Sequence, residues 1–268
     1  MCTVVLSIEP GQPVLVTGVR DELTDRAWIP PGRHWQQYQG VIGGQDLQAG
    51  GTWLAVSPAE PRLACVLNGI GRPAPPASRR SRGVLPLITA AGQSLDRGML
   101  AEFDPFLLVV AEPGRALVRT WDGHAVAERP LPAGLHMIVN SGIASYVATS
   151  DPDLAAMTGP DLAGEPPPDG REHELARVRH FLARFGSALR PDPRPDQPVA
   201  AAWGAWFPLV NGDGIGSDDE RALIVRRDLG DGRTWGTTSI SLVAMAPGRL
   251  RYDFTGRPGD ETAWHSVL

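Results

Sequence analysis

Two mostly apolar runs open the chain. Residues 2–8 and 13–20 read as β-strands, and Glu9-Pro10-Gly11-Gln12 between them reads as a hairpin turn. The second run is apolar at nearly every position until Arg20-Asp21-Glu22, so this strand is expected to be covered on both faces. A loop rich in Pro and Trp follows (Trp28 to Trp35), then Gly43-Gly44-Gln45-Asp46 and two more strand-like runs at 52–57 and 62–68. At 84–103 the pattern changes: Leu85, Ile88, Leu95, Met99 and Leu100 predict one or two helices broken near Gly92. Strands return at 106–111, 115–121 and 124–130, and the proline-rich stretch 151–170 predicts a loop or lid. The clearest helix is 172–190. Leu175, Val178, Phe181, Leu182, Phe185 and Leu189 form one stripe, Arg171, Glu174, Arg177 and Arg184 cover the rest, and Pro191 to Pro195 ends it. The remainder is β-rich, at 222–227, 237–245 and 250–254.

Strands, then helices, then strands fit an α+β layered domain better than a βαβ array. No repeat or long polar linker divides the chain, so residues 1–268 are expected to form a single domain. A hydrophobic content of 42% with 21% charged residues is enough for a real core.

A net charge of −5 weighs against a sequence-independent grip on nucleic acid, which needs a basic surface. Arg79-Arg80-Ser81-Arg82 is the local exception. It reads first as a solvated loop, with a phosphate or carboxylate site as the alternative. Cys65 lies in the strand-like Leu63–Leu67 and reads as an inert buried thiol, and two cysteines make no disulfide framework. The chain shows neither a signal-peptide pattern nor an apolar stretch of the ~18–20 residues a membrane span needs, which makes the cytoplasm the default location.

The chemistry concentrates at the front. Met1-Cys2-Thr3-Val4-Val5 places a thiol one cleavage away from the amino terminus. A free thiol has a pKa of ~8.5 and an α-amine ~7.7–8.0, so an amino-terminal cysteine carries its own nucleophile and base. Metal motifs are missing: HExxH does not occur, and His173 and His180 lie seven positions apart. Neither a metal nor a cofactor is expected. Asn211-Gly212-Asp213-Gly214-Ile215-Gly216 fits no nucleotide or calcium register and reads as a loop.

Met1-Cys2, the Arg20-Asp21-Glu22 end of the second strand, Gly50-Gly51-Thr52-Trp53-Leu54, Asn68 and Ser81-Arg82-Gly83 occur in an order that resembles the NRDE, or transport-and-Golgi-organisation type, proteins. A looser match runs through Gly134–Asn140 and Trp235–Ser239. This family in turn resembles the amino-terminal-nucleophile (Ntn) hydrolases, and distantly the choloylglycine hydrolases and penicillin V acylases. The resemblance implies a four-layer αββα sandwich with two antiparallel sheets. It also implies a cysteine hydrolase or acyltransferase cleaving a linear, non-peptide C–N amide bond through a Cys2 thioester. Cys2 would be the nucleophile, Arg20 would lower its pKa, Asp21 would hold the α-ammonium, and Asn68 and Asn140 would serve an oxyanion or the amine.

Trp53, Arg82 and Arg233 are the implied substrate contacts. Arg233 enters as a substitute for the arginine that relatives carry where this chain has Thr238. The residues themselves leave plainer readings open: a rim ion pair for Arg20 and Asp21, and turn asparagines at Asn68 and Asn140. The second functional reading, from the same resemblance, is a non-catalytic carrier of a hydrophobic ligand such as haem. A homo-oligomer is compatible with either.

Overall fold

The computed structural model describes residues 2–146 and 168–268. Its strands are β1 (Thr3–Ile8), β2 (Val14–Leu23), β3 (Trp28–Gly32), β4 (Ile42–Asp46), β5 (Leu54–Ser57), β6 (Arg62–Asn68), β7 (Phe106–Glu112) and β8 (Arg115–Trp121). They continue with β9 (Val126–Leu131), β10 (Gly134–Val139), β11 (Gly142–Tyr146), β12 (Arg226–Asp228), β13 (Thr234–Ala246), β14 (Arg249–Thr255) and β15 (His265–Ser266). Among the described residues four α-helices accompany them: α1 (Leu85–Ala90), α2 (Pro168–Ser187), α3 (Val199–Trp203) and α4 (Phe207–Val210).

The strands make two antiparallel sheets. One runs β11-β10-β1-β2-β13-β14-β15 with β12 added to β13, and the other runs β3-β4-β5-β6-β7-β8-β9 in chain order. Alternation along each strand decides what lies between them. Val4, Leu6, Val14 and Val16 of the first sheet meet Leu54, Val56, Leu63, Cys65 and Val109 of the second in one dry cluster. The intervening residues Val5, Leu15 and Val19 face the other way, onto Phe181, Leu182 and Phe185 of α2 and the fully buried Trp203 and Trp206. Outside the second sheet, α1 and nearby turns cover Ala64, Phe106 and Leu108. Helices, sheet, sheet and short helices give four α+β layers, and the doubly apolar second strand is covered on both faces as its composition demands.

Several elements differ from the sequence reading. The helical region 84–103 holds only the six-residue α1 and flanking 3-10 turns at Arg82–Val84 and Arg97–Glu102. Gly92, at φ +75°, stops α1, and the Asp96 side chain caps the later turn through the Gly98 N–H. Helix α2 ends at Ser187, leaving Leu189 83% exposed instead of on the apolar stripe. Glu174 and Arg177, read as solvent-facing, are buried at 4% and 2% exposure. The 222–227 run is mostly irregular, with only Arg226–Asp228 paired on β13. Strands β3, β10 and β11 were hidden in segments read as loop or motif. The stretch 151–167, read as loop or lid, lies outside the described residues, while 168–170 begin α2.

Candidate functional site

Register brings the front-end residues together. Thr3 pairs with Val139 of β10 and with Val19 of β2, so one step earlier Cys2 falls beside Asn140 and Arg20. The Cys2 backbone N–H donates to Asn140 Oδ1 at 3.2 Å. Cys2 packs against the inter-sheet cluster, on the same face as Val4. Two residues beyond Gly18, Arg20 emerges on that face too, at the end of the sandwich where the apolar filling stops.

Arg20 is held from four directions. Its Nη1 donates to Thr238 Oγ1 at 2.8 Å and its Nη2 to Asp46 Oδ2 at 3.3 Å, Glu22 lies 3.9 Å away, and the guanidinium sits 4.4 Å from the Trp53 ring centroid. Thr238 stands at the bulge where the β2–β13 register shifts. The bulge turns its hydroxyl toward Arg20, to whose carbonyl it also donates at 3.3 Å. Burial lowers the Arg20 pKa, opposed by Glu22, the Cys2 thiolate and Asp46. Asp46 in turn binds Arg26 and the Ala49 N–H, which together with Arg20 hold its carboxyl below the usual range in spite of burial.

Glycines set the far wall. A Cβ on Gly44 would lie 2.3 Å from the Trp53 ring, so the indole rests on bare backbone. A Cβ on Gly51 would lie 2.5 Å from the Gly83 carbonyl carbon, and Thr52 N–H donates to Gly83 O at 2.9 Å. The Gly50-Gly51-Thr52 and Ser81-Arg82-Gly83 motifs are thus one backbone contact. That contact delivers Arg82 to the pocket, where its Nη1 donates to Pro105 O at 2.8 Å.

These walls enclose a pocket of about 680 Å³, within the range of small-molecule sites. Cys2, Arg20, Asp21, Trp53, Asn68 and Arg82 line it, as do Glu22, Arg26, Asp46, Arg79 and Arg80. The arginine cluster is exposed at Arg79, Arg80 and Ser81, as a solvated loop should be, and it also lines the pocket, with Arg82 half-buried. Asn68 ends β6, exposed at the rim. Arg233 does not join them: it stands on the β12–β13 hairpin, donating from Nε to Asp231 at 2.7 Å, away from the pocket lining.

Asp21 contributes to the lining, yet alternation sends its carboxylate to the helix side of the sheet. Thr237 Oγ1 donates to Oδ1 at 2.7 Å, and Arg177 Nη1, 3.4 Å from Oδ2, also donates to Thr3 Oγ1 at 3.0 Å. Arg177 and Glu174 come from α2, one turn apart. Burial raises the Glu174 pKa against opposing contacts from Ser141 and Arg177. Nothing in the helix pattern marks these two as interior, because a polar face looks the same whether it meets water or a buried carboxylate. Asp46, Glu22 and Arg26 were missed likewise; only the Gly43-Gly44 pair beside Asp46 hinted at a special backbone.

The thiol itself departs from expectation. Burial, reinforced by the Asp21 charge, pushes the Cys2 pKa up and outweighs the amino-terminal charge, the Asp21 N–H and Arg20, which lower it. Cys65 is also pushed up by burial, as an inert core thiol should be. Among the described residues no group of three His, Cys, Asp or Glu side chains is placed to hold a metal ion. No described helix is long and apolar enough to cross a membrane.

Fold and site together define an α+β double-sheet sandwich with a cysteine at the first strand, facing an arginine-walled pocket. The family model for Transport and Golgi organisation 2 matches residues 1–148, more than half of the chain, and the protein belongs to that family. The matched segment carries Cys2, Arg20, Asp21, Trp53, Asn68, Arg82 and Asn140, whereas Arg177, Thr237 and Thr238 come from the part beyond it. No curated protein matches the chain.

Proposed function

We propose that the chain is an Ntn-type cysteine hydrolase or acyltransferase acting on a linear, non-peptide amide, working in the cytoplasm. The observation that carries this reading is the seating of Cys2: its nitrogen on Asn140 Oδ1 and its side chain on the same face as the buried cation Arg20. Once Met1 is removed, that nitrogen becomes an amine held beside its own thiol. A half-buried thiol with a raised pKa needs such a base, and the α-amine titrates in the right range.

The α-amine takes the thiol proton and Sγ adds to the amide carbon. Collapse of the tetrahedral adduct breaks the C–N bond, and the leaving nitrogen takes the proton back from the α-ammonium. Water, or a second nucleophile in the transferase variant, then cleaves the thioester. Asn68 at the rim carries an Nδ2 donor suited to the oxyanion; such a donor contributes about 3–4 kcal/mol when aligned. The Asp21 charge favours the α-ammonium, and Arg177 and Thr237 keep that carboxylate in place.

The carrier reading has no comparable observation. None of the six histidines lines the pocket, whose wall is largely charged and offers little flat apolar surface for a haem ring.

The test begins with the mass of the amino-terminal peptide and turnover of amide libraries by the wild-type protein and Cys2→Ala. Loss of Met1, a Cys2 acyl adduct and dead Cys2→Ala protein would support the mechanism. Retained Met1 on active protein, or turnover surviving Cys2→Ala, sinks it.

A further inference from the structure

The charges of the pocket do not cancel, although the whole chain is acidic at −5. Five arginines line it: Arg20, Arg26, Arg79, Arg80 and Arg82. Arg20 and Arg26 share Asp46 and Glu22. Arg79 lies 3.2 Å from Asp104, and Arg80 lies 3.1 Å from Glu102. The remaining carboxylate, Asp21, is paired with Arg177 behind the sheet. Among the described residues only Arg82 of the five lacks a carboxylate partner, so the wall carries one uncompensated positive charge.

That charge is presented in a specific way. Arg82 is half-buried, and burial weakens its hold on the proton, with Asp104, Cys2 and Glu22 supporting the charged form from a distance. Only Nη1 is engaged, by the Pro105 carbonyl, which fixes the guanidinium plane. The Nε–Nη2 edge has no protein partner among the described residues, yet neither atom is sealed from solvent. A guanidinium edge with two parallel N–H groups matches the two oxygens of a carboxylate, and a half-desolvated cation gains more from such a pair than an exposed one.

We propose that this pocket takes a monoanionic ligand whose carboxylate pairs with the Nε–Nη2 edge of Arg82. Resting on the reading of Cys2 as nucleophile, the substrate class becomes an amide bearing one free carboxylate, on either its acyl or its amine side. A second negative charge would find no further unpaired arginine among the described residues of the wall.

The test uses two alkylating probes that need the same thiolate and differ in charge, iodoacetate and iodoacetamide. The quantity read is the ratio of their rates at Cys2, by peptide mass spectrometry, relative to the same ratio in urea-unfolded protein. Taking the ratio cancels any change in thiol pKa. Steering by one unscreened cation predicts a ratio raised about tenfold in the folded wild type. Arg82→Gln should bring it to near one, and Arg82→Lys should keep only part of it, having charge without the fork.

A wild-type ratio near one, or a raised ratio untouched by Arg82→Gln, overturns the proposal. Should Arg82→Gln fail to fold, the wild-type ratio must still collapse in about 0.5 M NaCl, where screening acts over a few ångströms, and must be lowered by butyrate. Inorganic phosphate competing better than butyrate would reassign the edge to a phosphoryl group and refute the carboxylate. None of these readouts depends on turnover or on Met1, so the anion site can fail while the hydrolase reading stands, and the reverse.

Discussion

Arg177→Met removes a cation from behind the sheet and leaves a carboxylate stranded. Arg177 is 2% exposed and the Asp21 side chain 0%, so water cannot replace the lost partner. Breaking a buried pair by deleting one member typically costs about 3–5 kcal/mol. Two features favour the lower end here: Nη1 lies 3.4 Å from Oδ2, and Thr237 still donates to Oδ1 at 2.7 Å. Methionine also refills much of the volume of the buried Arg177 stem. A loss near 3 kcal/mol corresponds to roughly 6–10 °C in Tm for a domain of this size.

The assay is urea unfolding of wild type, Arg177→Met, Asp21→Asn and the double variant, followed by tryptophan fluorescence. If the charge is the cause, Asp21→Asn should recover most of the loss caused by Arg177→Met, because a neutral amide needs no counter-ion. Arg179→Met, on the exposed side of the same helix and without an ion-pair partner among the described residues, serves as the control and should leave the midpoint unmoved. A loss below about 1 kcal/mol, in the range of a surface pair, would refute the claim that this pair carries a buried charge. So would a double variant no more stable than Arg177→Met.

Two further outcomes are expected. Cys2, Cys65 and Tyr252 all have pKa values raised by burial, so in the unfolded chain they ionise first. Their contribution is full below the ordinary thiol range and is lost as pH rises through it; urea stability should therefore fall between about pH 8.5 and 10.5, and a flat profile contradicts the burial argument. Gly44→Ala places a methyl group 2.3 Å from the Trp53 ring, which must swing off Arg20. A cost of about 1–3 kcal/mol is expected in thermal melts, and an unchanged midpoint would mean that the glycine is not needed for the indole's seat.

Local patterning alone established much of this protein. The apolar run at 14–19 announced a strand covered on both faces and the strand–helix–strand order announced an α+β layered domain, while the sandwich and the grouping of Cys2, Arg20 and Asp21 came from the family resemblance. These features were legible because period-two alternation and turn chemistry act between near neighbours. The sheet register decided the rest. It set Asn140 against the Cys2 nitrogen across 138 residues, sent Arg20 and Asp21 to opposite faces of one strand, and used Thr238 where an arginine was expected to be replaced by Arg233. It also turned Glu174 and Arg177 inward and set the exposed Arg79–Arg82 loop along the pocket, with Arg82 half-buried. A charged side chain has the same letter whether it meets water or a buried partner. Its role is set by which distant group shares its desolvated space, and only the packed layers determine that.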